Sequence, residues 1–366
     1  MSDESFLAAM ARFEAALARA AAPAEHADVI ARVCANARFD AAALAREGRS
    51  GTLAIPFVKA LTAQVAAVSK EAAKHVHAGA TSQDVIDTAA TLCLKPACAR
   101  LDELAVRLGD AAARLAKKKI PTAARTLLQP ALPVTFGWKA AMWLSPLSRS
   151  LIAFRRAKKE ACVLQFGGPS GTLSAFGDRG VKVSATLARE LGLGESLVPW
   201  HSARDRFARL GAELAILAGA SGKIGRDVAL LMQPEVGEAA EGAAPGRGGS
   251  SSMPHKRNPA LSMIALEAAQ RAPGLAATLL GQLTPEHERG LGQWQSQWFT
   301  LRELACSTAS GVAAMADVLE DLEVNEKAMR DNLAKLLKDQ PLEFGAADAM
   351  IDAALAAWAT SRETAP

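Results

Sequence analysis

The sequence predicts an all-α fold, on three observations. Hydrophobic residues make up 50% of the 366-residue chain but aromatics only 5%, and there is no tyrosine. Alanine is abundant, and small apolar side chains favour long, closely packed helices over sheets. Apolar residues also recur at near-heptad spacing, most clearly in Phe207, Leu210, Leu214, Leu217, Ile224, Val228 and Leu231, the stripe of a helix in a bundle.

Phe6, Met10, Phe13 and Leu17 alternate steps of four and three, which predicts an amphipathic helix ending near Pro23. Val58, Leu61, Val65, Val68 and Ala72 predict a second helix running towards His75 and His77. After the loop 77–84, Asp84 and Asp87 lie in the first turn of the next helix, where the positive dipole end favours acidic groups. Leu101, Leu104, Leu108 and Leu115 lead to the basic run Lys117-Lys118-Lys119 and a stop at Pro121, a solvated helix end. A further apolar stretch passes through Trp138, Met142, Trp143 and Leu147 to the basic Arg155–Lys159 segment. Phe166-Gly167-Gly168-Pro169-Ser170-Gly171-Thr172 is a glycine turn where backbone can approach a ligand closely. Leu261, Ile264, Ala268, Leu275 and Leu279 predict the buried face of a helix kinked at Pro273-Gly274. Another helix follows 286–298 and runs to about Leu322, and the tail from Asn332 is helical in composition.

A net charge of +4 spread along the helices gives weak support for nucleic-acid binding and leaves small anions as plausible ligands. The five cysteines, 34, 93, 98, 162 and 306, include no Cys-x-x-Cys pair, so no disulfide framework and no zinc site is indicated. A reduced cytoplasmic setting is expected. The acidic start Met1-Ser2-Asp3-Glu4 lacks a basic region followed by an apolar core, so no signal peptide is expected, and no apolar run is long enough for a membrane span.

The chemistry concentrates in Gly248-Gly249-Ser250-Ser251-Ser252-Met253-Pro254-His255-Lys256-Arg257-Asn258-Pro259. Three hydroxyls, a lysine, an arginine and an amide precede a helix whose free N–H groups and dipole face the same place, which reads as an anion site. The string resembles the signature loop of the fumarase, aspartase, argininosuccinate lyase and adenylosuccinate lyase superfamily, Gly-Ser-Ser-x-Met-Pro-x-Lys-x-Asn. The resemblance makes Ser250 the group that moves the proton on the carbon next to a carboxylate, with Ser251 as runner-up. It has Lys256 and Asn258 hold the substrate's carboxylates, with Lys256 also stabilising the extra charge, and places Met253 against substrate. His77-Ala78-Gly79-Ala80-Thr81-Ser82-Gln83-Asp84 resembles the first signature region of the adenylosuccinate lyase branch. By that likeness His77, Thr81, Ser82 and Gln83 are binding candidates, although Thr81 or Ser82 alone reads more simply as a helix N-cap.

Two departures shape the functional reading. Where fumarate-producing lyases have Arg-Thr-His-x-Gln, this chain has Arg125-Thr126-Leu127-Leu128-Gln129, and Pro56 stands where adenylosuccinate lyases carry another catalytic histidine. Amine elimination needs a proton donor for nitrogen and hydration needs a base for water. A carboxylate nucleophile is already ionised at neutral pH and needs neither. Together with the strings around Arg125–Gly137 and Glu286–Gln295, this resembles the lactonising branch of the superfamily, which closes an unsaturated tricarboxylate into a lactone. Arg125, Gln129, Arg289 and Trp294 join the binding candidates on that likeness. Gln295 and Trp298 stand where adenylosuccinate lyases grip a phosphate, which argues against a purine substrate.

The resemblance implies a long-helix bundle of residues 101–331, an N-terminal helical domain 1–100 and a short remnant of a C-terminal domain in 332–366. It also implies a homotetramer with shared active sites, and no cofactor, metal, nucleic-acid or membrane partner. The rival expectations are a lyase releasing fumarate from a succinyl compound and a catalytically silent helical scaffold.

Overall fold

A computed structural model describes the chain apart from residues 1, 48–50, 245, 250, 251, 254, 338–341 and 365–366. Among the described residues the elements in chain order are α1 (Asp3–Ala21), α2 (Ala24–Asn36), α3 (Ala41–Glu47), α4 (Ala54–Ala66), α5 (Lys70–Ala73) and α6 (Ser82–Ala116). A hairpin of β1 (Pro121–Thr126) and β2 (Gln129–Thr135) follows, then α7 (Phe136–Ala161), α8 (Gly180–Leu191) and α9 (Asp205–Leu231). The chain continues with β3 (Ala239–Ala240), α10 (Ala260–Leu280), α11 (Gln293–Glu320), β4 (Glu323–Val324), α12 (Glu326–Leu337) and α13 (Ala347–Glu363). The fold is all-α, as the composition and the stripes predict. It forms two compact units: Met1–Cys98 with Lys158–Ala208 and Leu279–Arg302, and Ala99–Ala157 with Arg209–Thr278 and Glu303–Pro366.

In the first unit α1 opens with a capping box, in which the Ser2 hydroxyl accepts from Ser5 N and the Ser5 hydroxyl accepts from Ser2 N. Its predicted stripe buries Met10, Phe13 and Leu17, and Phe13 meets Phe166 edge to face at 6.3 Å. The predicted second helix is broken. α4 ends at Ala66, Val68 is 64% exposed, and the Ser69 hydroxyl accepts from Ala72 N to start α5. A serine hydroxyl that can satisfy a helix-start N–H competes with helix continuation, so an unbroken apolar period does not mean an unbroken helix.

In the second unit the stripe of α9 is buried as predicted, from Leu210 to Val228. Of the predicted face of α10, Ala268 and Leu279 are buried while Ile264 is exposed, and Ala265, Ala272 and Ala276 make up the rest of the buried side. The reason is close approach. A Cβ on Gly222 of α9 would overlap Ala269, and one on Gly311 of α11 would lie 3.0 Å from the Ala268 Cβ, so only small side chains fit between these helices. Arg155 is buried: it donates twice to Asp102 (2.7 and 2.9 Å) and caps the end of α13 through the carbonyls of Ser361, Arg362 and Thr364.

The β1–β2 hairpin is not visible in the sequence pattern, because its turn, Leu127-Leu128, lacks glycine or asparagine. Both leucines have left-handed backbone, φ 52° and 66°, a conformation that costs an L-residue roughly 1–2 kcal/mol. Leu127 is 96% exposed at this tip. The described cysteines are all free, and no helix among the described residues is long and apolar enough to cross a membrane.

Candidate active site

In the first unit, the buried face of the first two turns of α6 is polar. Asp84 has no exposed surface and accepts four hydrogen bonds, from the backbone N–H groups of Thr81 (3.0 Å), Gly167 (3.0 Å) and Gly168 (2.9 Å) and from His201 Nε2 (2.7 Å). One turn on, Asp87 takes a two-pronged ion pair from Arg204 (2.6 and 3.1 Å). Gln83 is also fully buried, and its Nε2 donates to Asp87 and to the His201 carbonyl. Asp84 therefore ties the loop before α6 to the glycine turn at 167–168. Gly168 has φ 71°, and a Cβ there would lie 2.7 Å from the Gly79 carbonyl oxygen, so the two loops pass at backbone distance.

Arg289 docks on this frame. It donates to Thr81 Oγ1 (2.9 Å), to the Pro169 carbonyl (3.0 Å) and, at 3.5 Å, to the Gly168 carbonyl. All three acceptors are neutral, its Nε is buried without a partner, and no ion pair among the described residues includes it. Arg204 in the same unit, by contrast, is neutralised by Asp87. A half-buried guanidinium without a carboxylate partner keeps its charge available. The Thr81 hydroxyl, which accepts from Arg289, keeps its own proton free to donate.

His77 lies at the head of the same loop. Its backbone N donates to Glu14 Oε2 (3.0 Å) and its Nδ1 lies 2.6 Å from Glu14 Oε1. Burial opposes the imidazolium, but the bond to Glu14 and the charges of Glu14 and Asp84 outweigh it, so the His77 pKa is raised. Trp294 is buried and meets Trp298 edge to face at 4.9 Å. Ser82 is the first residue of α6.

In the second unit Arg125 donates to both oxygens of Glu238 (2.7 and 2.9 Å), which also accepts from Thr122 and Asn332. Burial works against the Glu238 carboxylate, yet these donors hold its pKa below the ordinary value. Lys139, which donates to the Ala123 carbonyl, is pushed down by burial and then by the Arg125 charge. Gln129 is exposed and pairs with Thr126 in the hairpin.

Ser250 and Ser251 lie outside the described residues; the residues flanking them are held by several contacts. Arg257 donates to both oxygens of Glu323 (2.9 and 3.0 Å) and to the Glu241 carbonyl. Asn258 donates to the Gly248 carbonyl through both its backbone N (2.8 Å) and its Nδ2 (3.2 Å). Lys256 enters no ion pair among the described residues, and with Met253 and His255 it lines a cleft of about 850 Å³.

One sequence expectation is corrected here: the N-terminus of α10 is not open to an external anion. The carboxylate of Glu241, itself buried, accepts from Leu261 N (3.1 Å), Ser262 N (2.8 Å) and Ser262 Oγ (2.7 Å). The helix end is filled by the protein's own anion.

The sequence matches the model of the lyase family, described as "Lyase", over residues 2–274. The chain belongs to the lyase family. Its similarity to the 3-carboxy-cis,cis-muconate cycloisomerase of Bradyrhizobium diazoefficiens is 50% identity over 339 residues, 90% of this chain and 75% of that one. The enzyme of the same name from Pseudomonas aeruginosa is 47% identical, across 91% of this chain and 74% of its own length. The crystal structure of 3-carboxy-cis,cis-muconate lactonizing enzyme from Pseudomonas putida superposes with a TM-score of 0.92 at 33% identity, covering 98% of this chain and 96% of that one. This member of the lyase family carries Leu127 on an exposed hairpin tip, at the place where the resemblance puts a histidine in fumarate-producing relatives.

The sequence did not single out the residues that support the candidates, Asp84, Asp87, His201 and Arg204 in the first unit and Glu238 and Glu241 in the second. The signal available for them was only that each is a charged or polar residue near a candidate loop or at a helix start; most of their partners lie far away in the chain.

Proposed function

We propose that this lyase-family chain is a cycloisomerase that converts 3-carboxy-cis,cis-muconate to 4-carboxymuconolactone. The observation that carries the reading is Leu127, an apolar residue where amine-releasing relatives by resemblance have an imidazole. A substrate carboxylate attacks the far double bond and forms the ring C–O bond. The displaced electron pair runs to the carbon next to another carboxylate, and that carbon takes one proton. No proton on a heteroatom has to be moved, so no imidazole is needed at position 127. The transient extra charge on the acceptor carboxylate calls for cations and N–H donors placed in advance.

In this reading Ser250 delivers the proton to carbon, with Ser251 as the alternative, and the charge of Lys256 favours the ionised hydroxyl and the transient anion. Arg289, supported by Thr81, Ser82, Gln83 and His77, holds one carboxylate. By the resemblance, Asn258, Met253, Arg125, Gln129 and Trp294 are further substrate-binding residues, in sites shared among copies of the chain. The chain works without a cofactor as a cytoplasmic homotetramer with shared sites, in the breakdown of aromatic acids. Exposed apolar side chains on the long helices, among them Met142, Ile152, Ile216 and Ile264, support assembly with further copies.

Incubation with 3-carboxy-cis,cis-muconate tests the reading: diene absorbance falls as lactone appears, and Ser250→Ala slows this by about 100-fold or more. Folded protein that leaves the diene untouched, or that releases fumarate from adenylosuccinate or argininosuccinate, refutes it.

A further inference from the structure

We infer that Asp84 is the positioning residue of the substrate-carboxylate site: it holds both loops that carry the acceptors of Arg289. The inference rests on the proposed carboxylate-binding role of Arg289. Thr81 offers Arg289 its hydroxyl and gives its backbone N–H to Asp84 Oδ2. Gly168 offers Arg289 its carbonyl and gives its backbone N–H to the same oxygen. Gly167 and His201 fill Asp84 Oδ1. Both oxygens of the buried carboxylate thus accept two hydrogen bonds each, and two of the residues that donate to it are also acceptors for the guanidinium.

The arrangement links an aspartate and an arginine through loop residues, with no ion pair between them among the described residues. If Asp84 paired with Arg289 directly, the guanidinium would be neutralised, as Arg204 is by Asp87. Here two loops stand between them. The aspartate fixes where the arginine sits through backbone groups, and the arginine keeps its charge for a ligand.

An asparagine at position 84 would keep the volume but turn an –NH₂ towards one or more N–H donors, so at least one loop would move. A carboxylate that Arg289 binds equally in ground and transition states contributes to KM and leaves kcat alone. Asp84→Asn is therefore expected to raise KM for 3-carboxy-cis,cis-muconate about ten- to hundred-fold, the range of a lost charged hydrogen bond, with kcat within about threefold of the parent. Binding of tricarballylate, a saturated tricarboxylate that cannot react, is measured by calorimetry and is expected to weaken by the same factor.

Gly168→Ala is the second variant, since it leaves Asp84 intact and pushes the 168–169 carbonyls off through the Gly79 contact. It is expected to show the same split, and it decides the matter if Asp84→Asn does not fold. Unchanged KM and tricarballylate affinity in folded Asp84→Asn or in Gly168→Ala overturn the inference, as does a fall in kcat with KM unchanged. Wild-type protein that binds tricarballylate but leaves the diene untouched overturns the proposed reaction and not this inference, provided the variants weaken that binding. Wild-type protein that does neither overturns both.

Discussion

Glu241→Gln tests how the signature loop is held. The Glu241 carboxylate accepts three hydrogen bonds from the first turn of α10, two from backbone and one from a hydroxyl, and it is buried. Glutamine keeps one acceptor oxygen and presents an –NH₂ where the other was. The Ser262 contacts can survive on the remaining oxygen, while Leu261 N loses its acceptor. A hydrogen bond to a charged group is worth about 1.5–3 kcal/mol and the favourable anion–dipole contact about 0.3–1, up to roughly 2 when partly buried. The expected destabilisation is therefore about 2–4 kcal/mol. Because Glu241 starts the segment that ends at α10, the same change should also displace Lys256 and Asn258 and lower turnover at least tenfold. Urea unfolding followed by circular dichroism, together with the diene assay, checks both effects. A variant within about 0.5 kcal/mol of the parent, with full activity, would show that the helix end gains nothing from this carboxylate and that the loop is positioned in some other way.

Two further outcomes follow from the geometry. Gly109→Ala should destabilise the protein by about 1–3 kcal/mol despite a helix-propensity gain of about 1 kcal/mol. The added methyl would overlap the ring of Trp358, which is buried and donates to Asp110 (2.9 Å), so α13 would have to shift. Tryptophan fluorescence during urea unfolding reads this, and an unchanged midpoint would contradict that seating. His77, whose pKa is raised in the fold, contributes stability that is fully present below its ordinary value of 6.5 and is lost as pH rises through the raised value. The stability advantage of the wild type over His77→Gln should therefore shrink from pH 6 to pH 9. Unfolding measured across that range checks the sign, and an advantage that grows with pH would remove Glu14 as the cause.

Local rules determine much of this protein. The stripes in α1, α6 and α9 and the basic end at Lys117–Lys119 depend on spacing within a few turns, and the structure keeps all of them. The signature loop and the first signature region were legible as strings, and with them the family and the absence of an imidazole at position 127. Other features were decided by partners far along the chain. Ala265, Ala268 and Ala272 became the buried face of α10 because neighbouring helices approach through glycines. Leu127-Leu128 became a turn because β1 and β2 pair around it. The end of α10 looked open because its occupant, Glu241, lies twenty residues before the N–H groups it fills. Arg289 finds the Thr81 hydroxyl across 208 residues of chain, and whether a guanidinium meets a carboxylate or a neutral oxygen there decides whether it retains charge for a ligand. Helix periodicity and end signals are properties of contiguous sequence. The neutralisation of a buried charge depends on which distant group folding brings within about 3 Å of it.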